Sequence, residues 1–472
     1  VAHVRVLNHY LHSKFLVLGA VEFCLLMLAV VAGVELRNMW GAADEVNVIL
    51  ESPKLQMISF AVVLSVCSLA MGVYTSIYIE GLTGMALRTV VSYFFLGTAS
   101  LTILYYLFPV MYLGRGVLAF AITFSLIFVL VVRVLFYKVV DLAQLTRRVV
   151  IFGAGNTAAN IMERIQASKD ESGFQLYGCM ACGQGEVVVD SSLLVNEPED
   201  WMAFVKQHNI SEIVVAPDER RRSEGGQIPI DALLDCKLRG VRVTDPVEFI
   251  ERELLRLEIS MLRPGWALFS DGFVYSQARD ILKKLFDLTV ASLILLLTWP
   301  FMLITAIAVK LESDGPILYS QTRVGLNGKE FSIYKFRSMA QDAEKDGKAV
   351  WATKNDARVT KVGAFIRNTR LDELPQLYNV FTGDMSFVGP RPERPQFVEE
   401  LKEQIPFYDA RHKVKPGLMG WAQLKYPYGA SVDDARNKLK YDLYYVKNHS
   451  FFMDVLIVIQ TVEVVLLGKG VH

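Results

Sequence analysis

Asp372 and Glu373 stand side by side in the run TRLDELPQLYNVFTGDMSFVGPRPERP (Thr369–Pro395). Local signals place the pair at the start of a helix: Asp372 suits an N-cap, Pro375 a first turn that needs no intrahelical N–H, and Gly383 a stop after LYNVF. The positive end of a helix favours ionised carboxylates and also favours an arriving phosphate. Two carboxylates and a phosphate repel one another, so the arrangement requires a divalent cation and nearby cationic side chains. Magnesium is the expected ion, since it binds through few carboxylates and shares substrate phosphate oxygens.

The required cations are present. Alternation along FSIYKFRSM places Lys335 and Arg337 on one strand face, and Arg367 and Arg370 lie just before the carboxylates. Arg391, between Pro390 and Pro392, sits on a restricted backbone that suits bidentate phosphate contact. Taken singly, each reads as a solvated surface charge. Taken with the Asp-Glu pair and an apolar membrane segment, they point to phosphoryl transfer at a membrane surface.

The elements that must position these residues belong to a membrane protein with soluble parts. The chain has 472 residues, 52% of them hydrophobic, and a mean hydropathy of +0.32, which is too long for one ordinary domain and too apolar for a purely soluble one. A formal net charge of zero gives no general attraction to nucleic acid, and none is expected as a partner. Four apolar runs, near 15–36, 56–79, 88–111 and 116–136, are each about long enough to cross a bilayer, predicting a four-helix transmembrane bundle over 1–140. Arg5 and Lys14 precede the first run, Asp44, Glu45 and Glu51 follow it, and Lys138, Arg147 and Arg148 follow the fourth, so both ends of the bundle are expected at the cytoplasmic side. Arg133 is read as a snorkelling anchor. Five cysteines without a disulfide rhythm fit a reducing compartment, and the C-x-x-C of Cys179 and Cys182 reads as two ordinary thiols or a lone half of a metal site.

Residues 148–255 read as a soluble Rossmann-like α/β domain. RRVVIFGAGNTAANIMERI gives a strand, a glycine turn and an amphipathic helix, with Gly153 and Gly155 as possible nucleotide-binding residues. The following strand GFQLYGCM lacks a terminal acid for a ribose, and Glu186 comes late. Dinucleotide binding and a scaffold or dimerisation role both stay open, and a homodimer is expected. Residues 256–278, with RPGW at 263–266, read as a linker before a catalytic α/β domain at 279–472.

Leu288–Val309 is a further apolar run, long enough to span at about 1.5 Å per residue. Pro300 lies inside it, lacking the N–H that would reach Leu296. A sharp break there leaves arms of roughly 18 and 15 Å, each too short to cross. Lys283 and Lys284 before and Lys310 after the run fit two ends at one surface, so a re-entrant membrane hairpin is expected over about 283–311.

KKLFDLTVASLILLLTWP, GPILYSQTRVGLNGKEFSIYKFRSM, DARVTKVGAFIRNTRLDELPQLYNVFTGDMSFVGPRP and KVKPGLMGWAQ follow in order between Gln277 and Leu467. This succession resembles the bacterial polyprenyl-phosphate sugar-1-phosphate transferases, the monotopic phosphoglycosyl transferases. The whole chain is similar to their large subgroup, with four transmembrane helices and a Rossmann-like domain ahead of the catalytic domain; over 1–255 the similarity is architectural. The resemblance implies that Asp372 attacks the sugar-bearing phosphate of a UDP-sugar, expels UMP and passes the phosphosugar to undecaprenyl phosphate. It implies Glu373 as the magnesium ligand and Arg337, Arg391 and Lys335 as phosphate binders. It also implies the bacterial inner membrane as location, with the soluble domains in the cytoplasm on membrane lipid, and the first membrane step of exopolysaccharide or O-antigen assembly. The Lys415–Trp421 motif is expected to shape the nucleotide or sugar side. Two positions depart from the family pattern: Trp299 precedes Pro300 where Ser is frequent, and Arg370 stands where many members have Ser.

The C-terminal run FFMDVLIVIQTVEVVLLGKG reads equally as an in-plane amphipathic helix or a core helix, and His412 as structural. Two rival functions remain. A sugar-nucleotide oxidoreductase would use Gly153 and Gly155, but a ribose acid and a Y-x-x-x-K dyad are missing; a non-catalytic assembly scaffold would not need Asp372.

Overall fold

The computed structural model describes residues 3–6, 9–40, 52–71, 73, 81–139, 147–167, 174–182, 186–218, 228–262, 272, 276–339, 358–427, 429 and 431–467. Asp44, Glu45 and Glu51, used above for orientation, and the RPGW run at 263–266 lie outside the described residues. The chain forms two compact units that divide between Leu255 and Arg256.

In the first unit, four helical stretches are long and apolar enough to cross a membrane: Val17–Trp40, Pro53–Ala70, Gly84–Leu107 and Arg115–Phe136. They are apolar on both their packed and their free faces. Leu26, Phe60, Leu64, Leu101, Val117 and Val129 are buried together, while Val17, Leu28, Ile58, Phe95, Ile103 and Val131 are exposed, the pattern of helices whose outer surface meets lipid. Gly33 brings the first helix against the backbone of Ala121, where an added Cβ would lie 3.0 Å from the Ala121 amide nitrogen. The third stretch is interrupted by a π-helical turn, Ser92–Gly97.

Arg133 does not snorkel. It is fully buried, donating from Nε and Nη2 to the two carboxylate oxygens of Glu22 at 2.6 and 2.7 Å, and from Nη1 to Thr89 Oγ1 at 2.6 Å. Its position faces the other helices, so the guanidinium takes an acid of the first helix as partner in place of the membrane surface.

The α/β region carries a five-stranded sheet in the spatial order Leu194–Val195, Phe174–Met180, Arg147–Phe152, Ile210–Val215, Arg242–Thr244. Its pairings are parallel throughout. The central strand is the most apolar, with Val149 to Phe152 fully buried, as a strand covered on both faces requires. Glu212 is buried beneath the last helix, Pro246–Leu254, and is neutralised by Arg147 at 2.7 Å and Arg252 at 2.8 Å.

In the second unit the stretch 256–262, expected as linker, is packed in place, with Leu257 buried and its amide donating to Lys440 O at 3.0 Å; the first long element is one helix, Gln277–Glu312, whose N-terminus is capped by Ser276 accepting from the Arg279 amide. This is one helical element with Pro300 inside it. Its middle is almost bare: Leu293, Leu296, Leu297, Trp299, Phe301, Leu303, Ile304 and Ile307 are exposed. Its two ends are fixed to protein. Near the start, Lys283 Nζ donates to Val388 O at 3.1 Å and pairs with Asp454 at 2.7 Å, and near the end Val309 joins a buried cluster with Phe336 and Ile366.

After the long helix comes an antiparallel pair, Leu318–Val324 with Glu330–Phe336, in which Tyr319 opposes Lys335. The helix Lys361–Asn368 then leads into the carboxylate segment, and a short parallel pair, Ser386–Val388 with Gly417–Met419, follows it. The C-terminal helix Phe451–Leu467 buries Met453, Asp454 and Ile457 within the domain, so its first half is a core element.

Candidate functional site

The carboxylate segment starts from Arg370, a non-glycine residue in the left-handed region at φ 59°. Such a conformation costs roughly 1–3 kcal/mol and is found where local geometry serves a site. A 3-10 turn, Leu371–Gln376, runs into the helix Leu377–Thr382, and Gly383, at φ 84°, ends it as expected. Asp372 is not the N-cap. The Glu373 amide donates to Arg370 O at 3.3 Å, so the cap is Arg370, two residues earlier, and both acids fall inside the turn.

The packing partner of this turn is the strand that carries Lys335. Asn379, fully buried in the helix, bridges to that strand: its Nδ2 donates to Ser332 O at 2.8 Å and its Oδ1 accepts from the Tyr334 amide at 3.3 Å. A polar residue inside the apolar run LYNVF is the signal in the sequence for this bracket.

Three cations converge on one oxygen. Glu373 Oε1 accepts from Lys335 Nζ at 3.0 Å and from Arg391 Nη2 at 2.8 Å, and Arg370 Nη1 stands 3.9 Å away. Glu373 Oε2 accepts no hydrogen bond among the described residues. Asp372 is buried and makes no hydrogen bond or ion pair among the described residues.

The two neighbouring acids are driven in opposite directions. Burial pushes Glu373 upward, but the charges of Arg391, Lys335 and Arg370 outweigh it and hold its carboxyl well below the usual range. For Asp372, burial and the negative charge of Glu373 win over the same cations and raise its pKa. Burial lowers Lys335, with Glu373 opposing the shift. The result is an acid that stays ionised as an electrostatic anchor beside a more basic carboxylate with open lone pairs.

Arg337 lies apart from the two acids. Its Nη2 donates to Ser313 O at 2.7 Å, Ser313 Oγ at 3.0 Å and Val309 O at 3.4 Å. It closes the end of the long helix and touches neither Asp372 nor Glu373, because it lies past the end of the strand Glu330–Phe336 that carries Lys335. Trp421 is also displaced from its expected role: it is 1% exposed and stacks on Tyr444, so its indole is core. The rest of the Lys415–Trp421 motif backs the Arg391 loop, with the Gly417 amide donating to Pro390 O at 3.0 Å and the Gly389 amide to Met419 O at 2.8 Å. His412 is buried against Tyr408 and lies 3.4 Å from Asp409.

The glycine turn of the α/β region has the expected geometry, with Gly153 at φ 137° directly ahead of the helix Asn156–Ala167. A carboxylate of the chain itself occupies the helix start. Asp218 accepts from the amides of Asn156 and Thr157, each at 2.7 Å, and a Cβ on Gly155 would lie 2.1 Å from Asp218 Oδ2. The N–H groups that would hold a pyrophosphate are thus already satisfied by protein.

Residues 278–468 match the family model described as bacterial sugar transferase. A UDP-N-acetylgalactosamine-undecaprenyl-phosphate N-acetylgalactosaminephosphotransferase of Aeromonas hydrophila is 49% identical over 189 residues, 40% of this chain and 44% of that protein. An undecaprenyl-phosphate glucose phosphotransferase of Komagataeibacter xylinus is 34% identical over 334 residues, 68% of this chain and 59% of that protein. A UDP-glucose:undecaprenyl-phosphate glucose-1-phosphate transferase of Caulobacter vibrioides is 40% identical over 218 residues, 46% of this chain and 79% of that protein. The chain therefore spans less than two thirds of the first two relatives' lengths.

Proposed function

Because the chain belongs to the bacterial sugar transferases, membrane-associated enzymes that place a sugar phosphate on a polyprenyl phosphate, we propose that it moves a hexose 1-phosphate from a UDP-sugar to undecaprenyl phosphate. The observation that carries this reading is the convergence of Lys335 and Arg391 on Glu373 beside the unbonded carboxylate of Asp372. A carboxylate oxygen of Asp372 attacks the phosphorus that bears the sugar, and the bond from that phosphorus to UMP breaks, UMP leaving with the electron pair. An oxygen of undecaprenyl phosphate then attacks the same phosphorus and returns Asp372 to its carboxylate form. Neither step needs a net proton. Two steps replace one crowded encounter between two phosphate anions.

The residues fit a magnesium ion. Glu373 is ionised with one oxygen free of hydrogen bonds, and Asp372 is its neighbour. Bound there, magnesium would neutralise part of the diphosphate charge. Lys335, Arg391 and Arg370 orient the donor's phosphates, and Arg337 holds the helix end.

The long helix enters and leaves one leaflet in this reading, with the catalytic unit on the cytoplasmic face of the inner membrane. Asp287 and Val309 would lie about 33 Å apart along a straight helix, yet both are fastened to one domain. A spanning helix would place them on opposite sides of a hydrocarbon core about 30 Å thick. Pro300 and the exposed apolar middle fit a bend buried in lipid.

The test is UMP release by the purified chain with magnesium, undecaprenyl phosphate and a panel of UDP-sugars that includes glucose, galactose and N-acetylgalactosamine. Asp372→Asn is expected to abolish release with every donor, and turnover at the wild-type rate in that variant sinks the covalent reading.

A further inference from the structure

Arg391 sits in a segment with few amides to fix it. Pro390 and Pro392 have no N–H, so the loop's position depends on what its carbonyls accept. Nearly all of them are taken. Val388 O accepts from Lys283 and Tyr445, Pro390 O from the Gly417 amide, Pro392 O from Arg323 Nη1 at 3.2 Å, and Glu393 O from the Val324 amide at 3.0 Å. The carbonyl of Arg391 itself accepts from Arg411 Nη2 at 2.9 Å.

Arg411 is buried, and its guanidinium is held from three sides. Nη1 donates to Tyr408 Oη at 2.7 Å, Nη2 also pairs with the buried Asp442 at 2.8 Å, and the group lies over the Tyr408 ring at 5.2 Å. A buried pair of this kind is a poor source of stability, since an apolar pair of similar volume often does as well. What an apolar pair could not do is donate to the carbonyl of Arg391, whose own Nη2 reaches Glu373 Oε1 at 2.8 Å.

We propose that Arg411, fixed by Asp442 and Tyr408, is a positioning residue of the transfer reaction: by holding the Arg391 carbonyl it sets where the Arg391 guanidinium meets Glu373 and the donor phosphates. The inference rests on the reaction proposed above. Arg411 touches no substrate atom, and its effect passes through Arg391.

A double-mutant cycle on the full chain in detergent, read as single-turnover UMP release, tests it. Arg411→Lys keeps a cation beside Asp442 but loses the planar fork, and is expected to slow release about tenfold, an effect of the size that misplaced phosphate contacts produce. In an Arg391→Ala background the same change is expected to alter the rate by no more than about twofold, because interacting residues are non-additive. Equal fold-losses in both backgrounds would overturn the inference, as would an Arg411→Lys rate equal to wild type. If Arg411→Lys lowers the unfolding temperature, Asp442→Asn replaces it in the same cycle with the same expectations. UMP release by Asp372→Asn refutes the covalent reading instead and leaves the cycle interpretable, since the cycle needs only Arg391-dependent turnover.

Discussion

Asp287 Oδ1, on the long apolar helix, accepts from Ser386 Oγ and from the Phe387 amide, each at 3.0 Å. The strand Ser386–Val388 leads within three residues to Arg391, so the base of the long apolar helix and the Arg391 loop share one buried joint. Asp287→Ala leaves two buried donors unsatisfied, at about 1–3 kcal/mol each. A lowered unfolding temperature in detergent, with faster proteolysis after the helix, is the expected result; an unchanged melting curve would show that the joint contributes nothing.

The cations on Glu373 should matter for rate more than for folding. Lys335→Ala and Arg391→Ala are each expected to slow UMP release about a hundredfold or more. Arg391→Lys should recover only part of the loss, since an ammonium lacks the planar fork. Steady-state kinetics with folding checked by circular dichroism would settle it, and full activity in either alanine variant would contradict the site.

The opposite shifts of the paired acids give a pH signature. Asp372 must be ionised to attack, and its pKa is raised by burial and by Glu373, so activity is present above that raised value and lost as pH falls through it. Glu373, held far lower, stays ionised across the same range and adds no step. In the magnesium-free protein the Asp372 carboxyl is therefore expected to titrate above the ordinary aspartate value of about 3.9, read by NMR of the side-chain carbon. A titration at or below that value would show that the surrounding cations outweigh its burial.

The Arg133–Glu22 pair predicts an asymmetric response to substitution. Glu22→Gln leaves a buried guanidinium without its counter-charge and should destabilise the bundle by about 3 kcal/mol or more, whereas Glu22→Leu with Arg133→Leu removes both charges and should come close to neutral. Thermal aggregation in detergent distinguishes the two. Equal losses in the single and double variants would mean that the pair is not coupled.

Much of this was legible in the residues because it rested on short-range rules. The apolar runs, the parallel-sheet signature and the stop at Gly383 all follow from composition, periodicity or local capping. The misreadings were long-range. Arg133 has its acid 111 residues away in sequence, and Arg337 has a helix end as partner instead of the strand neighbour Lys335. Asp218 closes a helix start 62 residues before it, which no spacing within the glycine motif announces. Trp421 looked like a ligand platform because an indole beside glycines suits a sugar, but its stacking on Tyr444 decides otherwise.

The π-helical turn at Ser92–Gly97 fixes a phase for the rest of its helix. Beyond it, Leu101 and Tyr105 point inward while Ile103 and Tyr106 are exposed. Winding that turn as regular α-helix with no residue removed would rotate the downstream half by about 100°, carrying the inward set toward the outer surface and the outward set into the bundle. The wide turn thus absorbs one residue, and it lets both halves of the helix keep one buried side although their apolar patterns are a residue out of step.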